Sequence, residues 1–325
     1  MITSRRLAEI RKIAEGREVV VMGDLMLDEF LSGTVERISP EAPVPVLTYE
    51  ASRYVLGAAG NAALTLLKLG AKVTLVGLIG NDSVGELLRE KVKEVGLDDS
   101  GLVVAARRTT ALKTRVVAHT QQIVRVDREA TGTIGTTARR ELHDVALDAV
   151  SRAGAILISD YDKGALSMNL VAEVVQACKR RKIPCVVDSK SAHTAYRGAT
   201  VLTPNTTELA RMARMHRLAP GDLERAARTV LRRYAPEALL VTRAEAGMSL
   251  FAAKGGRVDV PALSSEVRDV TGAGDTVAAV MALGLAAGLE TADAARLATV
   301  AAAVVVRKAG TAAPSWDEMT ALAEE

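Results

Sequence analysis

Short aliphatic and β-branched runs recur along this chain, each followed by a stretch of helical spacing. After a first amphipathic helix, residues 19–22 form an apolar run that closes on Gly23-Asp24, which predicts a buried strand presenting a carboxylate at its C-terminal end. Further buried strands are expected at 73–79, 155–159, 185–188, 201–203 and 238–242. Helices are expected at 57–69, 84–95, 169–181, 222–234, 275–288 and 291–307. This alternation is the βαβ rhythm of a mainly parallel sheet covered by helices on both faces, an α/β/α three-layer domain.

Two segments break the rhythm. Residues 31–55 alternate polar and apolar positions around prolines 40, 43 and 45, and residues 103–127 return to β-branched alternation through Thr109, Thr114, Val116, Val117, Ile123 and Val126. Proline cannot donate to an interior ladder, so short or edge strands are expected. Together the two patches predict a small β-sheet inserted into one domain spanning residues 1–325. Exposed strand edges call for a cover, and a second copy of the chain is the economical one, so a homodimer through this sheet is expected.

Composition removes several classes of partner. Forty-two Lys and Arg against thirty-nine Asp and Glu leave a net charge of +3, too balanced for a nucleic-acid wrapper. Aromatic residues are 2% of the chain, too few for base-stacking platforms. The N-terminal segment is broken by Arg5, Arg6, Glu9, Arg11 and Lys12, unlike a signal peptide. The glycine-interrupted run at 278–289 is shorter than the roughly 20 residues of a membrane span. Cys178 and Cys185 have no metal-binding spacing and read as packing residues in a reducing compartment, so a cytoplasmic location without membrane association is expected.

The strongest chemical signal is Asp269-Val270-Thr271-Gly272-Ala273-Gly274-Asp275 at the start of an apolar helix. Glycines admit close backbone approach, a helix N-terminus offers free N–H groups to an anion, and Asp275 can take a proton from an attacking hydroxyl. The same pattern is compatible with a tight turn in which Asp275 caps the helix.

These residues resemble the second signature, D-T-x-G-A-G-D, of the ribokinase-like (PfkB) carbohydrate kinases, with Val270 where many members have Thr. The resemblance implies an anion hole at Gly272, Ala273 and Gly274 and a catalytic base at Asp275. Residues 56–61, Leu-Gly-Ala-Ala-Gly-Asn, resemble the first signature, G-G-x-x-x-N, with Leu56 replacing a glycine; this implies sugar contacts at Gly57 and Asn61. Asp24 matches the family's substrate carboxylate. Asn205 and Glu208 match its N-x-x-E, which implies Mg²⁺ held by Asn205 and, through water, by Glu208. Thr242, Arg243 and Gly247 resemble the strand and turn beside the nucleotide, with Ala244 where a glycine is commoner. ATP is the implied co-substrate, and Asp269 with Thr271 is the implied site of a monovalent cation.

A narrower resemblance, covering residues 5–318, is to the kinases of D-glycero-β-D-manno-heptose 7-phosphate. It rests on residues 36–46 (ERISPEAPVPV), 159–166 (SDYDKGAL), 187–190 (VDSK) and 202–205 (LTPN). A phosphorylated sugar needs cationic partners, and Lys163, Lys190 and Arg115 are the candidates. The implied reaction is transfer of the ATP γ-phosphoryl group to the C1 hydroxyl, for ADP-heptose and lipopolysaccharide core synthesis. Relatives often carry an adenylyltransferase domain; the histidines at 119, 143, 193 and 216 are too widely spaced for its H-x-G-H, so a stand-alone kinase is expected. The rivals are a kinase of ribose or fructose 6-phosphate and a catalytically silent sugar sensor. The glycine fingerprints of dinucleotide-binding and P-loop folds are absent.

Overall fold

The structure, a computed structural model, describes residues 2–119, 121–263, 266–308 and 310–324. Its strands are β1 (Glu18–Ile38), β2 (Pro45–Ala58), β3 (Lys72–Gly80), β4 (Leu102–Ala105), β5 (Ala111–Ala118), β6 (Gln121–Arg128), β7 (Ala155–Asp160), β8 (Cys185–Ser189), β9 (Val201–Leu202), β10 (Ala238–Thr242), β11 (Met248–Ala252) and β12 (Arg257–Val260). Its helices are α1 (Ser4–Ala14), α2 (Ala59–Lys68), α3 (Ser83–Glu94), α4 (Thr136–Arg152), α5 (Met168–Arg181), α6 (Thr206–Met212), α7 (Leu223–Tyr234), α8 (Ala273–Ala286), α9 (Thr291–Val305) and α10 (Trp316–Glu324).

The central sheet runs β12-β11-β10-β9-β8-β7-β1-β3-β4. It is parallel from β4 to β10 and ends in two antiparallel edge strands. Each face is covered. One apolar cluster gathers Leu7, Leu66, Leu88, Val280, Leu297 and Met319, and the other gathers Leu142, Val174, Leu209 and Val230. Cys178 and Cys185 are both buried in the second. The helix α8 is apolar on every side because it is enclosed by α2, α9 and the strands β7 and β8. Among the described residues, no helix is long and apolar enough to cross a membrane.

The first strand departs from expectation. It does not end at Asp24 but continues to Ile38, with Leu25, Met26 and Leu27 buried. Up to Asp24 it pairs with β3, and up to Gly23 with β7; from Leu25 it pairs antiparallel with β2, and from Met26 parallel with β5. One strand therefore serves two sheets. The second, β2-β1-β5-β6, is the predicted lid, with shifted limits: it begins near residue 25, and residues 102–105 belong to the central sheet through pairing with β3. Thr120, inside the predicted patch at 103–127, lies outside the described residues. Pro40 and Pro43 fall in the β1–β2 connection and Pro45 opens β2, where no interior donor is lost. Three helices, α4, α6 and α10, were not anticipated; α10 is anchored by the Trp316 indole N–H, which donates to the Leu69 carbonyl at 2.9 Å.

Candidate active site

The chain moves from β1 to β3 and β4 on one side, then crosses back to β7 and β8 on the other, so the sheet's topological switch point lies between β1 and β7. Parallel sheets open a crevice at that point, beyond the C-terminal strand ends. Here α8 points its N-terminus into the crevice. Gly272 precedes the helix at φ +78°, and a Cβ there would sit 2.6 Å from the Asn61 amide nitrogen, so both the backbone conformation and the space require glycine.

Asp275 lies in the first turn of α8 and is 4% exposed. The Tyr161 hydroxyl donates to its Oδ1 at 2.7 Å and the Asn61 Nδ2 to its Oδ2 at 3.0 Å. Burial pushes the Asp275 carboxyl up to about 6, assisted by the neighbouring Asp188 charge and opposed by the two hydrogen bonds and Lys190. A carboxylate poised near 6 is ionised at neutral pH and still basic enough to accept a proton from an attacking hydroxyl.

Asn61, expected at the sugar, is fully buried and holds the base. Its Oδ1 has no partner, and neither has the buried Thr276 hydroxyl.

Asp24 does not face substrate. Its carboxylate accepts the backbone N–H groups of Tyr161, Lys163 and Ala165 at 2.9, 3.1 and 3.1 Å, and is 2% exposed. It fastens the loop after β7, which is the capping role of a turn aspartate. The carboxylate that lines the crevice is Asp28, one helical-pitch-like step further along the extended strand. It pairs with Arg115 at 2.7 Å, lies 3.5 Å from the Thr311 hydroxyl, and stands where a Cβ on Gly57 would come within 2.7 Å of its Oδ2. Gly57 is thus retained by space beside Asp28. Asp28 was missed because the strand was expected to stop before it.

The two lysines diverge. The Lys163 ammonium pairs with Glu129 at 2.6 Å, toward the segment after β6. Lys190 lies 3.3 Å from Asp188 and 3.0 Å from Glu208, and 5.1 Å above the Tyr161 ring. Burial alone would lower its pKa, but Asp188, Glu208 and Asp275 together raise it. It belongs with the acidic groups, away from a distal sugar phosphate.

Asn205 and Glu208 form a capping box on α6: the Asn205 Oδ1 accepts the Glu208 N–H at 2.9 Å and the Glu208 Oε2 accepts the Asn205 N–H at 2.8 Å. With Glu208 Oε1 paired to Lys190, both carboxylate oxygens are engaged, and no three His, Cys, Asp or Glu groups converge on a metal position among the described residues. Asp188, Glu208 and Asp275 nevertheless outnumber the one cation between them. That donor set suits a hydrated divalent ion held through water rather than a directly chelated one.

Thr242 bridges to Asn205 at the end of β10, which brings those two predicted nucleotide contacts together. The others turn away. Arg243 donates to the Ala246 carbonyl at 2.9 Å and leans toward Asp259. Gly247 has φ +76°, and a Cβ there would meet the Val260 carbonyl at 2.2 Å, so it serves the turn into β11. Asp269 accepts the Thr271 N–H and hydroxyl and the Gly310 N–H, tying the loop before α8 to the loop after α9.

A buried base at a helix N-terminus, below a β lid and at the switch point of a parallel sheet, defines a small-molecule phosphotransferase. Residues 17–318 match the pfkB family of carbohydrate kinases, and the chain belongs to that family: it is an ATP-dependent sugar kinase. It is 46% identical over 309 residues to the bifunctional protein HldE of Geobacter metallireducens, covering 94% of this chain and 63% of that protein. The corresponding protein of Azorhizobium caulinodans is 42% identical over 308 residues, covering 94% and 64%. The chain thus spans slightly under two thirds of the length of these relatives. Among solved structures, phosphofructokinase-2 from Escherichia coli in complex with potassium superposes with a TM-score of 0.80 at 20% identity, covering 95% of this chain and 98% of that one. Ribokinase from Arabidopsis thaliana, complexed with ribose and ATP, gives 0.73 at 19% identity over 96% and 99%. At such identities the likeness establishes the fold, which is ribokinase-like.

Proposed function

We propose that this kinase transfers the ATP γ-phosphoryl group to the C1 hydroxyl of D-glycero-β-D-manno-heptose 7-phosphate, giving heptose 1,7-bisphosphate and ADP for ADP-heptose and lipopolysaccharide core synthesis. The observation that carries the chemistry is Asp275, buried beside the free N–H groups of the α8 N-terminus with its pKa raised to about 6. The sugar assignment is supported by the heptose-kinase-like segments at 36–46 and 159–166 and by similarity to the HldE proteins. Asp275 takes the hydroxyl proton, the C1 oxygen forms its bond to the γ-phosphorus, and the bond from that phosphorus to the β,γ-bridging oxygen breaks. The amides of Gly272, Ala273 and Gly274 face the charge that builds on the transferred group. Asn61 and Tyr161 keep the base oriented. A hydrated Mg²⁺, held through water by Glu208 and its acidic neighbours, would neutralise phosphate charge when bound. Asp269 and Thr271 are the residues for a monovalent cation.

The subunit arrangement belongs to the same reading. On the lid face turned away from the crevice, Val124 and Val126 are 47% and 56% exposed, an apolar surface suited to the same face of a second copy. Sedimentation giving a monomer at micromolar concentration would count against a lid-mediated dimer.

The deciding experiment offers ATP with heptose 7-phosphate, fructose 6-phosphate and ribose in parallel. Preferential phosphorylation of the heptose at C1 is expected. Preference for either other sugar, or ligand binding without turnover of any, removes the assignment.

A further inference from the structure

The lid carries a charge pattern that the catalytic groups do not use. In register, Asp28 faces Val55 on β2 and Lys113 on β5, and Phe30 faces Arg53 and Arg115; Lys113 and Arg115 in turn face Asp127 and Arg125 on β6. Residues opposite one another share a sheet face, so Arg53, Lys113, Arg115 and Arg125 stand on one side with Asp28 and Asp127. This side is turned to the crevice: Asp28 approaches Thr311, and the Lys113 ammonium lies 5.9 Å from the centre of the Tyr161 ring, whose hydroxyl holds Asp275. The opposite side buries Glu29 under Ser52, Tyr54 and Thr114.

Four cations against two carboxylates leave this face with an excess of positive charge. Arg115 is neutralised by Asp28 at 2.7 Å, and Arg125 by a two-pronged contact with Asp127 at 2.7 and 3.0 Å. Among the described residues, Arg53 and Lys113 have no carboxylate within 4.0 Å. The Arg53 guanidinium is held at 4.7 Å over the Phe30 ring, whose other neighbour is Arg115 at 5.3 Å. Aromatic stacking orders the guanidinium without consuming its fork of donors. Lys163 and Lys190, by contrast, are already paired with Glu129 and with Asp188 and Glu208.

We infer that the crevice side of the lid is an anion subsite in which Arg53 and Lys113, with Arg115 beside them, hold the phosphate of a phosphorylated sugar at the end remote from the reacting hydroxyl. The two unpaired cations match the charge of a phosphate monoester dianion, and they lie on the lid rather than on the strand ends that carry the phosphoryl-transfer groups. A sugar without that phosphate leaves both cations facing each other across the pocket. The lid thereby selects for phosphorylated acceptors. This inference rests on the sugar-phosphate reading above but not on which sugar it is.

The test is steady-state kinetics of the full chain and of Arg53→Gln and Lys113→Gln with heptose 7-phosphate, fructose 6-phosphate and ribose, with thermal unfolding as the check on folding. Each substitution is expected to raise KM for the preferred phosphorylated sugar by about 10- to 100-fold while KM for ATP moves less than about twofold. If the unmodified chain prefers fructose 6-phosphate and the variants lose affinity for it, the lid subsite stands and the heptose assignment falls. If it prefers heptose 7-phosphate and neither variant changes that KM, the heptose assignment stands and the lid subsite is overturned. A preference for ribose overturns both.

Discussion

The strand β1 passes through two regions that treat charge in opposite ways. Between β3 and β7 its residues 19–22 are buried on both faces, and the one carboxylate at the end of that half, Asp24, survives burial by accepting three backbone N–H groups. Burial still pushes its pKa up, with the hydrogen bonds opposing. In the lid half, one face looks into the crevice and the other outward, so the side chains alternate between Asp28 and Phe30 on one side and Glu29 on the other. In a doubly covered sheet a charge must be saturated by its own chain, and so it becomes structural. In a half-open lid a charge can remain unsaturated and so can be used by a ligand.

The sharpest probe sits where the two regions meet. Asp275→Asn keeps the volume of the base and removes its proton affinity, so kcat should fall by about 10²–10⁴ while ATP affinity stays within a few-fold. Steady-state turnover beside a nucleotide titration measures both, and a retained kcat would sink the role of Asp275.

Packing separates the regions next. Leu157 in β7 is fully buried, and Leu157→Ala should cost about 2–5 kcal/mol of stability. Val126→Ser on the exposed lid face should cost no more than about 0.5 kcal/mol within a single chain. Denaturant melts of the two variants at low protein concentration decide it: equal losses would erase the distinction between core and lid.

The two aspartates of β1 offer a finer comparison. Asp24→Ala leaves three buried N–H groups without acceptors and should destabilise by at least about 2 kcal/mol. Asp28→Asn keeps the shape beside Gly57 and should leave the melting temperature nearly unchanged, while raising the acceptor KM by about tenfold. A stable Asp24→Ala protein with impaired acceptor binding would reverse the assignment of the two residues.

The smallest effect concerns pH. The folded-state pKa of Asp275 lies above the ordinary carboxylate value, at about 6, so the native protein binds more protons than the unfolded chain between the two. The contribution of this residue to stability therefore falls as pH rises through that window and is wholly unfavourable above it. Activity runs the other way, rising with pH to a plateau above about 6, because the base must be ionised. Tyr161→Phe removes a hydrogen bond that lowers the pKa, so the acid limb of kcat/KM should move upward by less than about one unit. An unmoved limb with reduced kcat would leave Tyr161 a packing role only.

Much of this was legible along the chain because it depends on neighbours in sequence. The βα rhythm follows from local apolar periodicity, and the approach of Gly272-Ala273-Gly274 and Asp275 to a helix N-terminus follows from residues that are consecutive. The family signature was readable for the same reason. Asp28 was within reach as well, since Leu25-Met26-Leu27 continues the apolar run past Asp24; the turn-like Gly23-Asp24 pair masked the continuation. What no local pattern could decide is which charges are already answered. Asp24 is saturated by a loop more than a hundred residues away, Lys163 by Glu129, and Lys190 by Asp188 and Glu208. Arg53, Lys113 and Arg115 share a face only because β2 and β5 flank the same strand in a particular register. The sequence by itself determined the elements, the family and the base, since short-range spacing encodes them; the tertiary structure alone decided which charged residues are spent on the fold and which are left for a ligand, since that depends on partners the chain brings together only by folding.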